Sequence, residues 1–180
     1  IVHSGTAAAD LSDKPGGERR VMRGDIGPER RFSGVDPRKG AVRIIIRYNR
    51  DDGAEHLIGH AAEICRRHNI LYIIDCCRIA ENAWFIHQYE KGYESKAYRE
   101  IAKEMFRLAD GCIMSAKKDA LVNMGGFLAL RDAKLAEECT NLLIITEGFV
   151  TYGGLSGRDM EAMAQGLREV FDPEYLNYRI

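Results

Sequence analysis

From Ala41 onward, apolar residues fall into short runs separated by polar turns. The run Ala41–Tyr48 is rich in Ile and Val and reads as a buried strand, and Asn49–Gly53 reads as a turn. Leu57, Ala61, Ile64 and Cys65 recur at helical spacing up to His68. A second buried strand is predicted over Ile70–Cys77 and a helix over Ile79–Tyr89. Ser95 is placed to cap a helix whose apolar face is Tyr98, Ile101, Met105 and Leu108. Cys112–Ser115 and Gly126–Leu130 read as short strands on either side of a Lys117–Lys118 turn. Residues 132–140 suit a short helix and Leu142–Thr146 a further strand. The last predicted helix starts near Ser156, with Asp159 as capping-box acid and Met160, Met163, Ala164 and Leu167 on its core side. Residues 1–40, rich in Gly, Arg, Asp and Pro, show no helix or strand period and read as loop.

Apolar strands without alternation, separated by amphipathic helices, predict an α/β sheet covered on both faces. Ligands of such sheets bind beyond the carboxyl ends of the strands. That rule directs attention to Asn49, Asp75, Arg78, Ser115, Lys117 and Lys118.

Composition narrows the picture. The 180 residues are 46% hydrophobic, enough for one domain with a sizeable core. The net charge of −1 gives no electrostatic case for nucleic acid or an anionic membrane surface. No apolar run approaches the roughly 20 residues of a membrane span. Five cysteines, none at zinc-ribbon or C-x-x-C spacing, are expected to be reduced thiols of a cytoplasmic protein. Cys76, Cys77 and Cys112 read as core filler. His56, His60 and Glu63 share a helix face but lack a full metal-ligand set.

Asp75 follows Leu71, Tyr72, Ile73 and Ile74, and a carboxylate at the end of such a strand needs a compensating partner. It could cap the next helix or pair with Arg78. It could also hold the protonated ring nitrogen of pyridoxal phosphate, which keeps that ring an electron sink. Ser115-Ala116-Lys117-Lys118-Asp119 lies between two apolar segments. Its lysines could be a solvated surface turn. Alternatively, Lys118 could form a Schiff base, with Lys117 as the neighbouring cation that lowers its ammonium pKa and Ser115 donating to a phosphate oxygen. A strand-end Asp followed by a strand-end Ser-x-Lys-Lys is the order used by the large domain of aspartate-aminotransferase-type enzymes of this cofactor.

The stretch Asp75 to Arg78, with Ala80-Glu81-Asn82-Ala83-Trp84-Phe85-Ile86, resembles a segment of the tryptophanase and tyrosine phenol-lyase family. Similar to that family too are Glu104-Met105-Phe106, Ala109-Asp110-Gly111-Cys112, Met114–Asp119 and Gly125-Gly126-Phe127-Leu128. The likeness continues through Glu147-Gly148-Phe149, Thr151–Leu155, Gly157–Glu161 and Gly166-Leu167. It spans residues 70–180 almost without gaps and is looser over residues 23–69, around Arg23-Gly24-Asp25-Ile26 and Tyr48-Asn49.

The resemblance implies an α/β fold: part of the large domain of the aspartate-aminotransferase-like (fold type I) pyridoxal-phosphate fold, a mostly parallel sheet flanked by helices. Residues 1–40 would be a loop-rich N-terminal remnant and residues 41–180 the cofactor-binding core, with the family's small domain absent. Only some twenty residues separate Ser4-Gly5-Thr6 from Arg23-Gly24-Asp25, where the family has its phosphate-cradling segment and catalytic tyrosine. Lys118 would bind pyridoxal phosphate covalently and act as the base. Asp75 would hold the ring nitrogen, Asn49 and Arg78 the ring-hydroxyl side and Ser115 the phosphate, with Lys117 as a charge neighbour. Tyr152 would reach the active site of an adjacent subunit in a homotetramer, and the backbone at Gly5 and Asn123 would help bind potassium. The implied reaction is β-elimination of an aromatic amino acid. Tryptophan, giving indole, pyruvate and ammonia, is favoured by Ser115-Ala116-Lys117-Lys118 and by Glu147-Gly148-Phe149 with Thr151-Tyr152. Tyrosine phenol-lyase activity and a non-catalytic remnant are the alternatives.

Overall fold

The computed structural model describes residues 2–4, 42–45 and 54–180, with side chains from Ile58 onward. Five strands form one sheet in the order β1-β5-β4-β3-β2. In chain order the elements are β1 (Val2–Ser4), β2 (Val42–Ile45), α1 (Ala54–Arg67), β3 (Tyr72–Asp75), α2 (Ile79–Tyr89) and α3 (Tyr98–Arg107). Next come β4 (Gly111–Ser115), β5 (Gly126–Leu130), α4 (Ala133–Thr146), α5 (Gly157–Glu169) and α6 (Pro173–Arg179). β2, β3 and β4 are parallel, β5 runs against β4, and β1 runs against β5. Four of the five strands therefore point the same way, but two of the four pairings among the described strands are antiparallel, so the sheet is mixed rather than mostly parallel.

The parallel pairings require helical crossovers, and α1 and then α2 with α3 supply them. The sheet's two faces are not equally covered. Tyr72, Ile74, Cys112 and Met114 are buried, whereas Ile73 and Ile113 on the opposite face are only half-buried. The continuous apolar runs had predicted cover on both faces. The core continues through Ile58, Cys65, Ile79, Ile86, Ile101 and Leu176.

Register at the sheet centre depends on two polar devices. Asp110 accepts the Tyr72 N–H at 2.8 Å and returns its own N–H to the Tyr72 carbonyl, which ties the starts of β3 and β4 together. Arg131 donates from Nε to the Ala109 carbonyl and from Nη2 to the Phe106 carbonyl, satisfying groups left open where α3 ends. At Gly126 a Cβ would overlap the Met114 carbonyl oxygen, so β5 can lie against the end of β4 only with glycine there.

Several expectations change. Leu142–Thr146 is not a strand but the second half of α4. Asp132 starts that helix by accepting the Leu135 N–H at 2.7 Å, and Cys139 and Leu143, four residues apart, form its buried side. A short apolar run does not distinguish strand from helix, and the result here is exposed apolar surface, with Ile145 at 82%. Ser95 does not cap α3: the N-cap is Ala97, with no side-chain bond. Ala164 is exposed, and Met163 and Gly166 form the buried side of α5. The expected Ser156 cap is present, accepting the Asp159 N–H. Within the segment read as loop, Val2–Ser4 forms a strand paired to β5, Ser4 opposite Gly126. The Asn49–Gly53 turn lies outside the described residues. Helix α6 was not anticipated, although Asp172 followed by Pro173 is a start signal, and Asp172 does accept the Tyr175 N–H.

Helix α5 meets the loop after β4 at Gly166, where a Cβ would overlap the carbonyl oxygen of Ala120. Neither backbone can yield easily. Gly166→Ala is therefore expected to destabilise the chain toward the upper end of about 1–3 kcal/mol, read from urea unfolding midpoints at unchanged slope.

Candidate active site at the carboxyl edge of the sheet

Parallel β3 and β4 end on the same edge, so Asp75 closes one strand and Ser115 the next. The loops leaving these two strands are bonded to each other. The Ser115 N–H donates to Cys77 Sγ at 3.0 Å, and the Asp119 N–H donates to the Cys77 carbonyl at 3.2 Å. The segment Ser115–Asp119 thus lies along Cys76–Ala80.

Cys77 marks where the charges converge. Its thiol is pushed up chiefly by burial and by its hydrogen bond to Asp75, while the Ser115 N–H and the charge of Lys118 pull it the other way. Asp75 and Lys118 therefore both act on one half-buried sulfur. Asp75 is half-buried, and its Oδ1 accepts the Cys77 N–H at 3.2 Å. It neither caps α2 nor pairs with Arg78. Arg78 is 53% exposed and turns to Glu81 at 2.6 Å. Lys118 is half-buried and Lys117 exposed.

The cap of α2 comes from elsewhere. Its N-cap residue, Arg78, makes no side-chain cap bond. Instead Asp119 Oδ2 accepts the Ala80 N–H at 2.7 Å, and Oδ1 lies 3.0 Å from Nη1 of Arg179. Arg179 also binds Glu81 at 2.6 Å, so Glu81 bridges two guanidinium groups. Asp119 is fully buried, at 0% exposure. Burial pushes its carboxyl above the ordinary value, against the opposing pull of the Ala80 N–H and Arg179. Burial alone would lower Arg179, but Asp119 and Glu81 more than offset it and hold the guanidinium charged. Two residues beyond Asp119, Leu121 adopts φ 57°, and its N–H closes a turn on the Lys118 carbonyl at 3.1 Å. A left-handed leucine is strained, and it persists because the neighbouring contacts over-determine the loop.

The structure thus brings Asp75, Ser115 and the loop carrying Lys118 to one edge, with Cys77 bonded to Asp75 and Ser115. Cys76 and Cys112 are buried, as core filler should be, but Cys77 sits at the site. Arg78 stands beside this group and is engaged with Glu81. Tyr152 lies on the exposed turn between α4 and α5, its ring edge-on to Phe149 at 6.4 Å. Asn123 is exposed in the loop before β5. Asn49 and Gly5 lie outside the described residues. Asp119, Glu81 and Arg179 received no role from sequence reasoning. The one signal in the sequence was the position of Asp119 directly after the lysine pair.

A half-buried carboxylate with no arginine partner among the described residues, beside a half-buried lysine and a strand-end hydroxyl, fits the ring nitrogen, aldehyde carbon and phosphate of pyridoxal phosphate. Fold and edge geometry together define an α/β protein whose candidate site lies beyond the carboxyl ends of its parallel strands. A solved structure from Exiguobacterium sp. 255-15, described as an aromatic amino acid beta-eliminating lyase/threonine aldolase, superposes with a TM-score of 0.51 at 19% identity, over 77% of this chain and 36% of that one. Residues 55–179 match the family described as Beta-eliminating lyase, and the chain belongs to that family. Among its relatives are a tryptophanase from Hyphomonas neptunium, 55% identical over 67% of this chain, and a tyrosine phenol-lyase from Intrasporangium calvum, 52% identical over 66%. The chain spans about a quarter of the length of these relatives, 26% and 25%. Among the described residues no helix is long and apolar enough to cross a membrane.

The raised Asp119 carboxyl has a measurable consequence. Between the ordinary aspartate value and its raised folded value, the folded state holds a proton that the unfolded state has lost, so stability falls as pH rises through that window. Urea unfolding of wild type and Asp119→Asn from pH 3.5 upward, about where an unperturbed aspartate titrates, should show this contribution in the wild type alone. The wild type should lose stability relative to the variant as pH rises.

Proposed function

We propose that the chain is the cofactor-binding core of a pyridoxal-phosphate-dependent lyase that β-eliminates an aromatic amino acid, with tryptophan the favoured substrate. The observation that carries this reading is that parallel β3 and β4 end on one edge, which sets Asp75 beside Ser115 and the Lys117–Lys118 loop bonded to Cys77. Relatives named tryptophanase and tyrosine phenol-lyase support the reaction class. The lysine-turn sequence Ser115–Lys118 and the Glu147–Tyr152 segment favour tryptophan over tyrosine.

Each residue has a distinct task. Asp75 holds the proton of the cofactor's ring nitrogen, a role that needs an anion not already neutralised by arginine. Lys118 holds the cofactor through its amine and, once displaced by substrate, takes the proton from the substrate Cα at Nζ. Ser115 donates its hydroxyl to the phosphate, and Lys117 adds positive charge at the rim. Arg78 can turn from Glu81 toward the ring-hydroxyl side, because Arg78 itself is exposed and Glu81 keeps Arg179. Bound there, pyridoxal phosphate supplies an electron-withdrawing ring that accepts charge as the Cα–H bond breaks. Asn49 beside the ring, a potassium ion at the backbone of Gly5 and Asn123, Tyr152 reaching a neighbouring active site in a homotetramer, and a cytoplasmic setting complete the proposal.

The test is a visible absorbance spectrum of the purified chain mixed with pyridoxal phosphate. A borohydride-trappable band is expected in the wild type and not in Lys118→Ala, followed by indole release from tryptophan exceeding phenol release from tyrosine. No band, or one equally present in Lys118→Ala, would show a non-catalytic remnant of the family instead.

A further inference from the structure

We propose that Asp119 is a positioning residue for Lys118. By accepting the first-turn N–H of α2 and pairing with Arg179 of α6, it locks the lysine loop against the end of β3. The proposal rests on the pyridoxal-phosphate reading of the site and adds a role to a residue that touches neither cofactor nor substrate.

Four contacts argue for it. The Asp119 N–H reaches the Cys77 carbonyl, Oδ2 takes the Ala80 N–H, Oδ1 faces Arg179, and Ser115 is held to the Cys77 thiol one turn earlier. Lys118 lies between the Ser115 and Asp119 anchors, so its backbone has little freedom relative to Asp75. The anchor on the other side is itself fixed. Arg179 binds Glu81 on α2, and Trp84 of the same helix donates to Asn177 of α6 at 2.7 Å. The geometry also supplies what a charged group at this depth requires: Oδ2 receives a backbone donor at a helix N-terminus, where negative charge is favoured. Burial nevertheless raises the carboxyl, so this acid is a costly way to gain stability. A hydrophobic residue would fill the space at lower cost but could not bind α2 and α6 simultaneously.

The test compares Asp119→Ala, Asp119→Asn and Arg179→Met with Leu176→Ala, a core truncation in α6 that leaves the polar contacts in place. Two quantities are measured on the full chain. One is amide hydrogen exchange at Ala80 and residues 116–121 without cofactor. The other is the affinity for pyridoxal phosphate, with the pH midpoint of the Lys118-dependent band. Asp119→Ala should speed exchange and weaken cofactor binding at least about tenfold, the size of one lost charge-assisted hydrogen bond, and should displace the pH midpoint. Asp119→Asn keeps an oxygen for the Ala80 N–H and should restore affinity to within about threefold of wild type. Leu176→Ala should lower the melting temperature but leave exchange in the loop, affinity and midpoint at wild-type values. Should Asp119→Ala not fold, Arg179→Met must move the same quantities in the same direction. Variants at 119 and 179 that behave like Leu176→Ala overturn the proposal. A wild type without a Lys118-dependent band defeats the functional reading instead, and exchange in the cofactor-free protein still decides the positioning role.

Discussion

A fully buried carboxylate must find partners wherever the chain can supply them, and the arrangement of this fold around Asp119 is a consequence of that requirement. Its partners come from different parts of the sequence: the backbone of Ala80 at the start of α2 and the guanidinium of Arg179 near the chain's last residue. Because Asp119 immediately follows Lys118, pairing one acid ties a loop, a helix start and a terminal helix together. Glu81 extends the same network by holding Arg179 and Arg78 at once.

Around that anchor, the parallel pairing of β3 with β4 places Asp75 and Ser115 on one edge. The loop between β4 and β5 is compressed from both sides. Gly166 of α5 abuts the Ala120 carbonyl, and Gly126 admits β5 against the end of β4. Leu121 absorbs the remaining geometry in a left-handed conformation. Strain in the loop that carries Lys118, held by over-determined contacts, is the pattern of a segment where position matters more than local stability. Elsewhere the chain tolerates loose ends: Ile145 and Phe149, at 82% and 64% exposed, leave apolar surface on α4 and the turn after it.

Most of the architecture was legible in the pattern of residues. The Ile- and Val-rich runs marked β2 and β3, the period of Ile79–Tyr89 marked α2, and Ser156 with Asp159 marked the start of α5. Leu142–Thr146 misled because five apolar or β-branched residues in a row suit either a buried strand or a helix. The choice was made by the Asp132 cap ten residues earlier and by how little of the segment is buried.

For the site, the sequence alone determined the chemistry on hand. A strand-end Asp75 and a Ser115-x-Lys117-Lys118 turn are local features, and the family resemblance rests on contiguous motifs. Tertiary structure decided how those groups are used. It paired Arg78 with Glu81, bonded Cys77 to both Asp75 and Ser115, and sank Asp119 to the base of the loop. Arg78 and Glu81 stand three residues apart, a local helical spacing, but the burial and partners of Asp119 could not be read in advance. Those partners depend on which residues distant in sequence arrive within hydrogen-bond reach, 39 positions apart for Ala80 and Asp119 and 98 for Glu81 and Arg179. Such pairings are set by strand register and helix packing, and no local spacing encodes them.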